Sequence, residues 1–280
     1  MAACASIRPS RSTSRRSLAW RLALAVLAGW SFTAWGQFAA YVQPARFELA
    51  AKPGELVREV FEIGNDDLGA TELTVRTSDW TLRRDAGVDF QPDTLAPDSC
   101  RPWVRIERHV VKIGGKAKRR FRFEIQVPPG AGSGLCRFAL LIEPGSAAAN
   151  ISPLGNIQMP LQARIGIIVY VRVGDAKPQL TLESVAIETV NGQQVPVATL
   201  RNSGNAHGRT EGVLVATDAA GRSLDLVTAP LPILPGETRV VPMWPQEQSE
   251  GKPVVFTPPL RIKGRIEWEG GRIPVDAVAR

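Results

Sequence analysis

The clearest pattern in this chain is an alternation. From residue 157 to residue 173 every odd position is apolar: Ile157, Met159, Leu161, Ala163, Ile165, Ile167, Val169, Val171 and Val173. The even positions include Gln158, Pro160, Gln162, Arg164, Gly166 and Arg172. Successive side chains of a strand point to opposite faces, so the spacing predicts one long strand with a continuous apolar face. That is far longer than the usual strand of about five or six residues. Pro160 has no backbone N–H to give to a ladder, which places it on a sheet edge. A long apolar edge is an aggregation hazard unless something covers it. The cover is the protein's own core, a second copy, or a strand from a client. Core strand and donor strand both remain open for residues 157–165.

Shorter runs of the same kind fill most of the remaining chain. Arg120, Arg122, Glu124 and Gln126 alternate with Phe121, Phe123, Ile125 and Val127. Arg46 to Leu49 and Val57 to Ile63 read as strands, the second ended by Gly64-Asn65-Asp66-Asp67. Leu73 to Trp80 follows, then a polar loop from Arg84 to Ser99. Trp103 to Ile113 ends at Gly114-Gly115, and Leu135 to Ile142 lies between Pro128-Pro129-Gly130 and Pro144-Gly145. About seven strands in about 135 residues is the rhythm of a β-sandwich. After Gly174-Asp175-Ala176-Lys177-Pro178 the pattern restarts. Strands are predicted at Gln179 to Val190, Val195 to Arg201, Glu211 to Thr217, Thr238 to Met243, Arg261 to Trp268 and Arg272 to Val278. The fold class is therefore all-β: two immunoglobulin-like sandwiches in tandem, over residues 37–174 and 175–280.

The first 36 residues have another character. Arg15 and Arg16 precede an apolar run from Leu22 to Ala34, too short to span a bilayer, and Ala34-Trp35-Gly36 offers small residues where a signal peptidase reads. Residues 1–36 are expected to be a cleaved signal peptide, and the mature protein to be periplasmic without an integral membrane segment. This changes the meaning of the charge. The formal net charge is +7, but five arginines and no acid lie in the leader, so the mature chain carries +2. The basic balance is no sign of a nucleic-acid partner, and Lys116 to Arg122 reads as the solvated face of a strand. Of three cysteines, Cys4 leaves with the leader. Cys100 and Cys136 remain as a pair in an oxidising compartment, and a disulfide is expected. Two cysteines without clustered histidines give no metal site.

Catalysis finds no support. The two histidines, His109 and His207, stand apart from any nucleophile, and no phosphate-cradling loop or metal-ligating helix motif is present. No catalytic residue, cofactor or enzyme activity is expected. Trp80 and Trp103 read as core anchors.

The run Arg46-Phe47-Glu48-Leu49, then Pro53-Gly54, a strand closed by Asn65, Asp79-Trp80 ending a third strand, and the strand from Ile157 onward resemble the periplasmic pilus chaperones over residues 41–173. The resemblance implies a chaperone that binds secreted pilin-like or coat-like subunits, with an outer-membrane usher as a further partner in fimbrium biogenesis. It implies that Ile157, Met159, Leu161, Ala163 and Ile165 form a strand donated to an incomplete subunit, a form of β-augmentation. It implies that Arg46 grips the subunit's C-terminal carboxylate, a task for which a planar guanidinium is suited. The family's second anchor, a lysine, falls here at Gly166, and Arg164 is the candidate replacement on the same face. The strand motif also lacks the family's closing proline after Val173. The rival reading is a non-catalytic envelope scaffold or adhesion protein built from the same two domains.

Overall fold

A computed structural model describes residues 39–145, 163–246 and 254–280, together with the backbone of 150–154 and 157–161. The regular secondary structure of the described residues is almost entirely strand, and its one helical element is a 3-10 turn at Arg101–Trp103. No helix among the described residues is long and apolar enough to cross a membrane. Two tandem immunoglobulin-like sandwiches result, each with its own apolar core.

The first sandwich uses β1 (Ala40–Gln43), β2 (Arg46–Ala51), β3 (Leu56–Asn65), β4 (Thr71–Leu82), β5 (Val88–Gln91), β6 (Val104–Ile106), β7 (Val110–Ile113), β8 (Lys118–Gln126), β9 (Gly134–Pro144) and β12 (Ile165–Val173). One sheet runs β1-β3-β8-β6. The other runs β2-β12-β9-β4-β5, with β7 also on β4. The inward faces of β2, β3, β8 and β9 supply a phenylalanine cluster. Phe47 meets Phe123 edge-on at 5.2 Å, and Phe123 meets Phe138 edge-on at 6.2 Å. Such contacts add to the gain from burying the rings themselves.

The first strand changes sheets. β1 is antiparallel to β3, and after Pro44 the chain crosses over so that β2 lies parallel to β12. The register pairs Arg46 with Ile168 and runs on to Ala51 with Val173.

The alternation at the end of the long apolar run holds where the structure describes it. Ile167, Val169, Val171 and Val173 are buried in the first core, and Ile165 packs partly buried against it. The run is not one strand, however. β10 (Asn150–Leu154) and β11 (Ile157–Leu161) form a separate antiparallel hairpin, and Ala163 and Arg164 belong to no strand. Alternation specifies which face a residue takes and says nothing about continuity, so it could not reveal this break. The expected strand from Trp103 to Ile113 is likewise divided into the 3-10 turn, β6 and β7. The polar loop after Arg84 contains the short strand β5. Trp80 is buried, but on the outer face of its sheet and not in the sandwich core; Trp103 is partly buried against that core.

The second sandwich comprises β13 (Leu180–Val190), β14 (Gln193–Asn202), β15 (Gly208–Arg209), β16 (Val213–Thr217), β17 (Ser223–Thr228), β18 (Pro232–Ile233), β19 (Thr238–Pro245), β20 (Leu260–Trp268) and β21 (Gly271–Ala279). Its main path runs β13-β14-β19-β17-β16-β20-β21. The two ends of that path approach each other, and the Ile187 N–H donates to the Arg280 carbonyl at 3.2 Å.

Both sandwiches use the same device to end a strand. Asn65 closes β3: its Nδ2 donates to the Gly69 and Gly114 carbonyls at 2.7 and 3.1 Å, and its Oδ1 accepts from the Asp67 N–H. Asn202 closes β14 and is fully buried. Its Nδ2 donates to the Ala206 and Ile233 carbonyls at 2.8 Å each, and its Oδ1 accepts from the Gln179 and Gly204 N–H groups. In each case one amide satisfies a turn two and four residues ahead and ties it to a distant segment.

Cys100 and Cys136 form a disulfide, with Cα atoms 5.4 Å apart, that joins the 3-10 turn to β9. Replacing both by serine is expected to cost about 3–4 kcal/mol on the chain-entropy model. The urea midpoint with and without reductant measures this; only the parent protein should respond to reduction. Asn202→Ala leaves buried donors and acceptors unpaired and is expected to cost roughly 2–4 kcal/mol. Asn202→Asp should also destabilise, since it keeps the acceptor and loses both donated bonds, and thermal unfolding of the two variants tests this.

Candidate functional site

The outer face of the β2-β12-β9-β4-β5 sheet turns toward the second sandwich. Tyr170 and Trp80 stand near its centre, edge-on at 5.4 Å, with Leu82, Val88, Phe90, Leu135 and Ile168 around them and Leu234 arriving from the second sandwich. Polar contacts surround this apolar patch. The Trp80 Nε1–H donates to the Phe138 carbonyl, and Arg137 lies over the Trp80 ring at 4.7 Å. Arg239 donates to the carbonyls of Leu82 and Arg83, Asn205 to that of Ser133, and Arg172 pairs with Glu269 at 2.9 Å.

The strand crossover determines what lies beside that patch. Arg46 and Glu48 are two residues apart on β2, so both point to the outer face, beside Ile168 and Tyr170. Glu48 is the hub of a charge cluster. Arg46 Nε lies 3.1 Å from its Oε1, and Arg209 Nη2 lies 3.2 Å from that same oxygen. His207 Nε2 is 2.8 Å from Oε2, which requires the imidazole to carry a proton on that nitrogen. The His207 ring also stacks on Tyr170 at 4.1 Å. Burial alone would push the Glu48 carboxyl up. The hydrogen bond and charge of His207, with those of Arg209, override it and hold the group below its ordinary value. Tyr170 is pushed up to about 12, chiefly by burial and further by the Glu48 charge. Around this cluster lies a cleft of about 490 Å³, also lined by Glu211, Glu267, Trp268 and Glu269.

The residues expected to form a site are distributed as follows. Arg46 is half-exposed at the edge of this cleft. Arg164 pairs with Glu143 at 2.8 Å, a carboxylate that also receives Arg76. Arg46 and Arg164 thus hold different acids. Arg164 lies just before β12, four residues upstream of Arg46's partner Ile168, about 13 Å away at an extended rise. Ala163 is half-buried in the connecting segment. The side chains of Ile157, Met159 and Leu161 lie outside the described residues.

Gly166 is explained by its neighbour. A Cβ at that position would lie 2.1 Å from Cζ of Phe90, so the ring of β5 occupies the space a side chain would need. Next to it the edge of β12 is unequally covered. Ile165, Gly166 and Ile167 pair with Ile142, Leu141 and Leu140 on β9, but β2 joins only from Ile168. Among the described residues, no strand pairs with that side of 165–167.

Glu48, His207, Arg209 and Phe90 were not identified from the sequence as site residues. Half of the signal was there: Glu48 shares a face with Arg46, and His207-Gly208-Arg209 places an imidazole and a guanidinium on alternate positions after a turn. Their meeting joins residues far apart in the chain, which no local pattern encodes.

No family model matches the chain, and no curated protein matches it. Solved structures similar to it include fimbrial chaperones. The class 5 fimbriae chaperone CfaA is 8% identical, with 86% of this chain and 99% of that chain covered and a TM-score of 0.45. The CupB2 chaperone of Pseudomonas aeruginosa is 12% identical over 86% of this chain and 100% of its own, with a TM-score of 0.43. A chain from the CsuC–CsuE chaperone–tip adhesion subunit pre-assembly complex of Acinetobacter baumannii is 13% identical over 84% and 97%, also with a TM-score of 0.43.

Proposed function

We propose that this protein is a periplasmic chaperone for secreted pilin-like or coat-like subunits, which it holds by completing their sheets with its own strand margin. The observation that carries this reading is the half-covered edge of β12. β2 takes the edge from Ile168 onward, and 165–167 have no strand on that side among the described residues. A client strand laid on that margin parallel to β12 would lie end to end with β2. Its last residue would then meet Arg46, the first residue of β2, whose guanidinium is half-exposed.

The chemistry fits a chain terminus. A free carboxylate is the one feature that marks the end of any polypeptide, and a guanidinium pairs with it through two parallel hydrogen bonds. Backbone pairing along the margin supplies affinity without regard to sequence, and alternate side chains supply selectivity. In this reading Met159 and its neighbours extend the donated margin upstream of Ala163 and Arg164, and Arg164 flanks the path. Neither a cofactor nor a covalent step is needed.

The β10–β11 hairpin favours a second reading. It already pairs one flank of 157–161, which suits a scaffold or adhesion protein that donates nothing.

Affinity purification from periplasm separates the two. Recovery of small secreted subunits is expected, with binding weakened about 10- to 100-fold by Arg46→Ala, the range for a hydrogen bond to a charged group. Met159→Asp should weaken it as well. Subunits retained equally by both variants point to the scaffold, and the absence of any subunit removes the chaperone reading.

A further inference from the structure

The cleft beside Arg46 already contains a carboxylate, and it belongs to the protein. Glu48 Oε1 is approached by Arg46 Nε at 3.1 Å and by Arg209 Nη2 at 3.2 Å. Two guanidinium groups, one from each sandwich, therefore converge on a single carboxylate oxygen. They do not need that carboxylate equally. Arg209 is mostly enclosed and is fixed by a second bond, from Nη1 to the Pro230 carbonyl at 2.6 Å. Arg46 is half-exposed, and Glu48 is its one ion-pair partner among the described residues. Glu48 for its part keeps a separate bond from His207 to its other oxygen.

We propose that Arg46 and Arg209 together form a carboxylate clamp, and that Glu48 is its resident occupant, which an incoming chain-terminal carboxylate must displace. This rests on the proposed strand-binding function and defines how its anchor is built and regulated. The second cation of the anchor comes from the second sandwich, not from β12.

Two residues of the cleft wall carry enclosed polar atoms. Trp268 Nε1 and His207 Nδ1 are both enclosed, and neither has a hydrogen-bond partner among the described residues. Both residues line this cleft. Enclosed polar atoms without partners are uncommon, because each carries the full cost of its lost hydration. The indole N–H is a donor only. Here it packs against Gly271, where an added Cβ would lie 2.8 Å from Nε1.

The energetic logic is competitive. A resident carboxylate lowers the apparent affinity for a free one by the cost of displacing it. It also keeps two arginines from lying close together uncompensated, since like charges at short range repel. On the walls, Glu267 and Glu269 are already paired, with Arg265 at 2.6 Å and Arg172 at 2.9 Å, while a terminal carboxylate meets two cations at the centre.

The test is calorimetric titration of the full chain with a nonapeptide of alternating valine and threonine, once with a free C-terminal carboxylate and once as its C-terminal amide. The parent protein should prefer the acid. Glu48→Gln keeps the shape and removes the competing charge, and should tighten binding of the acid about tenfold while leaving the amide unchanged. Arg209→Ala should weaken binding of the acid about 10- to 100-fold, and Arg209→Lys, which keeps charge but loses the fork, should fall between. A Glu48→Gln protein that binds the acid no better, or worse, would show that Glu48 is a brace and overturn the gate. An acid preference abolished by Arg46→Ala but untouched by either Arg209 variant overturns the clamp and leaves the strand-binding function standing. A parent protein that does not distinguish acid from amide overturns both.

Discussion

The parallel pairing of β2 with β12 is the constraint on which the rest depends. It starts at Arg46 opposite Ile168 and cannot start earlier, because β1 is held by β3 in the other sheet. A one-residue shift would reverse every side chain of β2. Phe47 would leave the core, while Arg46 and Glu48 would enter it. The burial of Phe47 against Phe123 therefore fixes the position of the charged pair as firmly as any contact those charges make themselves. The same register determines how much of β12 is covered on that side. Core packing, cleft chemistry and strand margin are three results of one alignment.

The junction between the sandwiches combines two kinds of interaction. The apolar group around Trp80 and Tyr170 gains from exclusion of water and is indifferent to small shifts. The surrounding bonds to carbonyls and carboxylates are directional and fix which atoms meet. Tyr170 belongs to both groups: its ring is buried among apolar side chains and carries the His207 imidazole on one face. That stacking holds His207 so that Nε2 reaches Glu48.

Much of the fold was legible in the sequence because period-two alternation is a local property. The buried residues from Ile167 to Val173 and the outward Arg120 and Arg122 follow from parity alone. What parity could not give was the end of one strand and the start of another. Residues 157–161 and 165–173 are in phase, so they read as continuous although they belong to separate sheets. β5 was missed because Val88-Asp89-Phe90-Gln91 is short and lies among turn residues. Trp80 was rightly expected to be buried, but its side of the sheet was not, since an apolar outer face makes sense only once a second domain covers it. The charge cluster was only half readable: Arg46 and Glu48 share one strand face, but the other two of Glu48's three partners come from the second sandwich.

The phenylalanine over Gly166 has a consequence for how such a cleft can change over time. With that ring in place, no side chain of any charge can be introduced at that point of β12 unless the ring retreats first. Positions 90 and 166 therefore behave as one compound position, open to paired replacement and closed to single steps.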